Sequence, residues 1–195
     1  PNLGQAGACC GGSSGVPGLI LGDFASQINT QLLHKSVVGD ADPQEEITFR
    51  HEDHSETRRT LQIDGSLITL DFWQFGGGFN HITQEKNQFG RTESSQGVGD
   101  VWLYSAWEFL PELSYSPVKP RGHLVGKLSL PVGRSIYDFE QPLATDIRSS
   151  GFFTPSLGLG LTKQRGRWDF SVTSEVHQAL SRQFPTSRGP LTVTP

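Results

Sequence analysis

Ser156 to His177 reads SLGLGLTKQRGRWDFSVTSEVH, and its side chains change character at every second position. Before the basic triplet Arg165-Gly166-Arg167, the odd positions Leu157, Leu159 and Leu161, joined upstream by Phe153, are apolar, whereas Ser156, Gly158, Gly160 and Thr162 are small or polar. After the triplet the even positions Trp168, Phe170, Val172 and Val176 are apolar, and Asp169, Ser171, Thr173, Glu175 and His177 oppose them. A period of two is that of a β-strand, whose successive side chains point to opposite faces. The stretch therefore predicts two antiparallel strands joined by a tight turn, each oily on one face and polar or very small on the other.

Upstream the same design recurs. From Arg121 to Gly133, Leu124, Gly126, Leu128, Leu130 and Val132 oppose Lys127 and Ser129. From Gly99 to Phe109, Val101, Leu103, Trp107 and Phe109 oppose Asp100, Tyr104 and Glu108, with Trp102 out of step. Trp73, Phe75 and Phe79 oppose Gln74, Gly76, Gly78 and Asn80. Between Thr60 and Leu70, Leu61, Ile63 and Leu67 oppose Gln62, Asp64 and Ser66, although Ile68 and Leu70 fall on the polar parity. Between Leu19 and Leu33, Ile20, Gly22, Phe24, Ile28 and Leu32 alternate with Asp23, Gln27, Asn29 and Gln31.

The polar face decides what kind of sheet this is. A soluble sandwich turns that face to bulk water and fills it with Lys, Glu and Thr. Here it carries Gln, Asn, Ser, Gly and isolated charges, which suits a confined aqueous interior with the apolar parity turned to lipid. The connections agree. Long gaps at Lys35 to Glu56, Thr83 to Gln96 and Arg134 to Gly151 alternate with tight ones at Asp71-Phe72 and Arg165 to Arg167, as extracellular loops alternate with periplasmic turns in outer-membrane barrels. Only Pro111 to Pro120 is longer than that scheme expects. Trp73, Trp107 and Trp168 all fall at strand ends assigned to the periplasmic side, where an aromatic girdle belongs.

Composition narrows the classes further. The chain has 195 residues, 34% hydrophobic, with 23 glycines, 10% aromatics and a formal net charge of -4. That balance gives no attraction to a phosphate backbone, so nucleic acid is not an expected partner. No apolar run approaches the roughly 20 residues of a membrane helix, and no charged-then-apolar signal peptide opens the chain. A barrel must be exported, and the chain contains no Met, so a processed or truncated piece of a longer product is expected. Cys9 and Cys10 are adjacent and make neither a disulfide scaffold nor a complete zinc site. The small residues before Cys9 faintly suggest a lipoprotein cleavage box, but Ala6 stands where a large aliphatic is usual, and residues 1–16 are taken as an exposed Gly/Ser-rich leader.

Three stretches carry a family likeness: GVGDVWLYSAWEFL from Gly97, HLVGKLSLPVGRS from His123, and the strand pair running on from Ser150 to Leu180. Together they resemble the outer-membrane transporters grouped as the meta-pathway phenol-degradation family, with its Gly-x-Gly-Asp strand start, its Leu-Pro-x-Gly strand end, and its Gly-rich strand turning through a short basic link into an aromatic one. Gly97, Gly99 and Asp100 match the first feature; Leu130, Pro131 and Gly133 the second; Leu157 through Arg167 to Trp168 and Phe170 the third. The likeness spans about half the chain, with a looser match at Ile63 to Phe79. It implies a barrel that passes small, often hydrophobic molecules, and it supplies no catalytic residues. Val132 departs from the Thr frequent in that family, and the strands expected after His177 are absent.

Candidate sites follow from the polar parity. An unpartnered buried charge costs several kcal/mol, roughly, so Asp64, Asp100, Glu108, Lys127, Asp169 and Glu175 should face water or one another, and their excess of acids favours cations or neutral solutes. GDADPQEEITFRHEDHSE, starting at Gly39, offers oxygen and imidazole ligands, but it lacks EF-hand spacing and a helical His pair and is read as a solvated loop, with no metal or cofactor expected. His177 near Ser171 and Thr173 is the nearest approach to a nucleophile and base; no enzymatic activity is expected. Gly76, Gly77 and Gly78 are not a phosphate loop, since no lysine follows, and should relieve crowding where strands curve.

The sequence thus predicts an all-β, antiparallel up-and-down transmembrane barrel over residues 17–195, an incomplete one of about seven strands, in the bacterial outer membrane. Lipid and lipopolysaccharide would contact its outside and a small-molecule solute its inside. A structural or adhesive barrel and a soluble β-sandwich binding module are the alternatives.

Overall fold

A computed structural model describes residues 19–20, 25–41, 47–49, 54–88, 90–112, 116, 118–165, 168–186 and 189–195. Among them the strands are β1 (Ser26–Val37), β2 (Gly39–Ala41), β3 (Ile47–Phe49), β4 (Ser55–Leu70), β5 (Trp73–Gln88), β6 (Arg91–Leu110), β7 (Arg121–Leu130), β8 (Thr154–Arg165), β9 (Trp168–His177), β10 (Arg182–Thr186) and β11 (Gly189–Val193). Seven of them form one antiparallel sheet in the order β1-β4-β5-β6-β7-β8-β9, strongly curled into a half-barrel. β2 with β3 and β10 with β11 make separate hairpins. Each of the seven alternating segments corresponds to one strand of the large sheet, and each strand pairs with the next one of that set along the chain.

Curling gives the two parities different surroundings. The polar parity lies on the concave side, where Asp64, Ser66, Gln74 and Glu108 are buried. The apolar parity is on the convex side and stays exposed: Ile28, Leu67, Phe75, Leu103, Leu128, Leu159 and Val172 all belong to it. This inverts the usual order of a small soluble domain, in which the large aliphatic side chains are the buried ones.

The convex apolar surface is a band with limits. On one side its outward positions turn polar at a common row of the ladder, in which Leu32 faces Leu61, Leu61 faces His81 and His81 faces Val98. Beyond that row the outward side chains are His34, Arg59, Thr83 and Gln96. Towards the opposite end Trp73 and Trp107 are register partners with rings stacked at 6.1 Å and 19°. Trp168, the first residue of β9, is exposed at that same end of the sheet. About ten residues per strand lie between these limits, about 33 Å of strand at about 3.3 Å per residue.

Several expectations are corrected. Thr83 to Gln96 is not a loop: β5 and β6 stay paired to Gln88 and Arg91, with Gly90 at φ 72° in the two-residue link. Both faces of that extension are polar, so hydrophobic alternation has nothing to register. Ladder irregularities occur at Ile68/Leu70, at Phe79/His81 and at Glu108/Leu110. At the second, Gly99 and Asp100 together oppose Asn80, and the extra residue reverses the phase of β6. The first strand begins at Ser26, and Ile20 is not on the outward face with Ile28 and Leu32; it is buried against the concave side. After His177 the chain does form strands, but as the short β10–β11 hairpin outside the sheet.

Candidate functional site on the concave face

The ladder stacks the inward residues in rows. Asp64, Gly78, Trp102, Ser129 and Thr154 follow one another across β4 to β8. In the next row are Ser66, Gly76, Tyr104, Lys127, Ser156 and His177, then Gln74, Ala106, Val125, Gly158 and Glu175. Large rings sit beside glycines for a steric reason. A Cβ on Gly78 would lie 2.7 Å from the Trp102 ring, and one on Gly76 would overlap the Tyr104 ring. These two glycines make room for inward aromatics, whereas Gly77 has the outward Leu103 side chain beside it.

Charges on this face are held by partners. Asn29 donates to one Asp64 carboxylate oxygen at 3.0 Å and Gln62 to the other at 3.2 Å, while Gln27 donates to Asn29 at 2.6 Å. Tyr104 shares a hydrogen bond with Ser66. Arg121 Nε and Nη2 donate to the two Glu108 oxygens at 2.8 and 3.1 Å. Beside them His123 is fully buried, and neither ring nitrogen has a hydrogen-bond partner. Farther round, Glu175 accepts from Ser156 at 2.6 Å and faces Lys127 at 3.9 Å and His177 at 3.6 Å. His177 is thus paired with a carboxylate and not with Ser171 or Thr173.

The connection from β7 to β8, residues 131–153, folds back onto the inner side of β6. Arg148 donates to Ser95 at 2.6 Å, the Leu143 amide donates to Glu93 at 2.9 Å, and Ser149 donates to Asp100 in a short hydrogen bond. The room for this comes from Gly97 and Gly99, where a Cβ would come within 2.8 Å of Arg148 atoms. Phe184 of β10 closes over the loop in an aromatic group with Tyr137 and Phe152, at centroid distances of 4.5 and 5.8 Å. A second inward element is Leu19–Ile20. Gln74 accepts from the Ile20 amide at 2.9 Å and donates to the Ile20 carbonyl at 3.0 Å, and Leu19 packs against the buried cluster formed by Trp102, Tyr104, Ala106 and Val125.

Of the residues expected to line an interior, Gln27, Asn29, Gln62, Asp64, Gln74, Asn80, Asp100, Tyr104, Glu108, Lys127, Ser129 and Glu175 are buried or half-buried on the concave side. Thr173 and His177 share its parity but lie exposed on edge strand β9. Asp23 and the Asp169 side chain lie outside the described residues, as does most of the acidic stretch from Asp42 to Asp53. Among the described residues no three His, Cys, Asp or Glu side chains converge to hold a metal. Sequence reasoning missed Arg121, His123 and Val125, although the odd parity of β7 implied them, and it missed Arg148 because loop residues have no parity. Arg121 pairs with Glu108 and Lys86 with Glu56, so five carboxylates to one lysine is not the charge balance of this face. No family model and no curated protein matches the chain, so the likeness to the phenol-degradation transporters rests on the motifs themselves.

Proposed function

We propose that this chain forms the wall of an outer-membrane β-barrel that passes small, often hydrophobic molecules and carries out no covalent chemistry. One observation carries the proposal: the large apolar side chains lie exposed on the convex side while charged and amide groups are enclosed on the concave side. The stacked Trp73–Trp107 pair near one limit of the apolar band, and the band's length of about ten residues per strand, fit a bilayer solvent on the outside. Lipid and lipopolysaccharide are the partners of the convex face, and a small solute is the partner of the concave face. The open edges of β1 and β9 are to be closed by further strands, because an unpaired edge in lipid leaves backbone groups without partners.

The test is reconstitution of the parent protein into planar bilayers. Discrete current steps are the expected result; a folded, inserted protein that passes neither ions nor radiolabelled small solutes overturns the transport reading. The inward loop 131–153 and the seated Leu19–Ile20 favour a second reading, a closed barrel with a structural role, and silence in that experiment is what it predicts.

A further inference from the structure

We propose that Leu19 and Ile20 are a displaceable stopper, seated in a solute-binding position that recognises an aliphatic body carrying an amide-like donor and acceptor. The proposal rests on the concave face being a transport path. Gln74 is the key to it. Its backbone is engaged in the ladder with Ile68 and Ala106, so its side chain is free to act inside, where it is almost fully buried. That side chain grips both polar groups of Ile20, 54 positions away in sequence, as a neighbouring strand would grip a peptide group. Ile20 is only 1% exposed, yet it belongs to no strand.

The apolar half of the position is equally specific. Leu19 packs against the buried apolar cluster of Trp102, Tyr104, Ala106 and Val125, on a face that is largely polar. Trp102 Nε1 is buried there without a hydrogen-bond partner, a spare donor for an occupant other than Leu19. Among the described residues the segment is held by the two neutral hydrogen bonds to Gln74, the burial of Ile20 and the packing of Leu19, and Leu19 and Ile20 are in no ladder. A solute with the same chemistry, an aliphatic chain and one secondary amide, can make the same two hydrogen bonds and the same apolar contact, and at a concentration above the effective concentration of the tethered segment it displaces it.

The experiment uses the full chain in its parent protein, in planar bilayers, as wild type, Gln74→Ala and Ile20→Pro. Proline removes the amide that donates to Gln74 and lies outside the sheet, so the ladder is untouched and this variant carries the test even if Gln74→Ala misfolds. Expected are a several-fold rise in conductance in both variants, and block of the Ile20→Pro current by the capped dipeptide N-acetyl-leucyl-isoleucine amide, with Gln74→Ala insensitive to it. A conducting wild type that neither substitution changes, or an Ile20→Pro current indifferent to the dipeptide, overturns the stopper and leaves the pore standing. Silence of wild type and variants alike overturns the pore and the stopper together.

Discussion

Glu108 and Arg121 meet through two hydrogen bonds beside a fully buried His123, and the group shows how this sheet tolerates charge on its concave face. A buried carboxylate whose register partner is His123 needs a counter-charge, and Arg121 supplies it bidentately. Glu108→Gln keeps the shape and removes the charge, which should lower stability by about 2 kcal/mol, the order of a hydrogen bond to a charged group. Arg121→Lys keeps the charge but loses the fork, and should cost less than that. Urea unfolding in detergent micelles checks both, and an unaltered midpoint for Glu108→Gln would show that the pair contributes nothing. The glycines beside the inward rings make a second case. Gly78→Ala brings a methyl against the Trp102 ring, the Asp64 side chain and the Ile63 carbonyl. Overpacking of this kind costs about 1–3 kcal/mol. Gly126→Ala meets open space on the convex side and should be close to neutral in the same measurement.

Between β7 and β8 the loop holds its shape through Asp146, which is buried and accepts from the Glu140 amide at 2.9 Å and from Arg134 at 3.0 Å. Burial pushes its carboxyl up, but the Glu140 amide and the Arg134 guanidinium outweigh that and hold it below the ordinary range. A lowered folded pKa means that the ionised carboxylate stabilises the loop fully above the unfolded value of about 3.9, and that this stabilisation is lost as pH falls through the lower folded value. Hydrogen exchange of the loop amides, corrected for intrinsic rates, should therefore be flat from neutral pH to about pH 4 and accelerate below it. Asp146→Asn should exchange faster at neutral pH and lose the acid step; a wild-type step well above pH 5 would contradict the assignment. None of this was legible in the sequence, because the loop is fixed by Arg148 and Ser149 meeting Ser95 and Asp100, about fifty positions away. β8 and β9 were legible because their two faces differ at every step. The outer halves of β5 and β6 were not, since a strand that is polar on both faces has no periodic hydrophobic signal.

Seven antiparallel strands leave β1 and β9 running in the same direction at the two open edges. A barrel built on this sheet and antiparallel throughout therefore needs an odd number of further strands, which agrees with the even totals of bacterial outer-membrane barrels. The two faces of the wall must then meet different solvents, and spin labels can read them position by position. Along β9, labels at Trp168, Phe170, Val172 and Val176 should be relaxed by oxygen dissolved in the bilayer, and labels at Ser171, Thr173, Glu175 and His177 by a water-soluble nickel complex. Leu128 and Leu159, on the same convex face as Val172, should behave as it does; they are 39%, 43% and 70% exposed, in that order. β6 makes the sharper test, because its bulge reverses the phase. Oxygen should favour odd positions from Val101 to Phe109, and below Asp100 the outward positions become even, with Val98 the last in the apolar band and Gln96 already in water. A soluble sandwich would pack one of these faces against a second sheet or leave both open to the nickel complex. A β6 profile that keeps a single phase across Asp100, or nickel access at Leu128, Leu159 and Val172, would remove the basis for placing this sheet in a membrane.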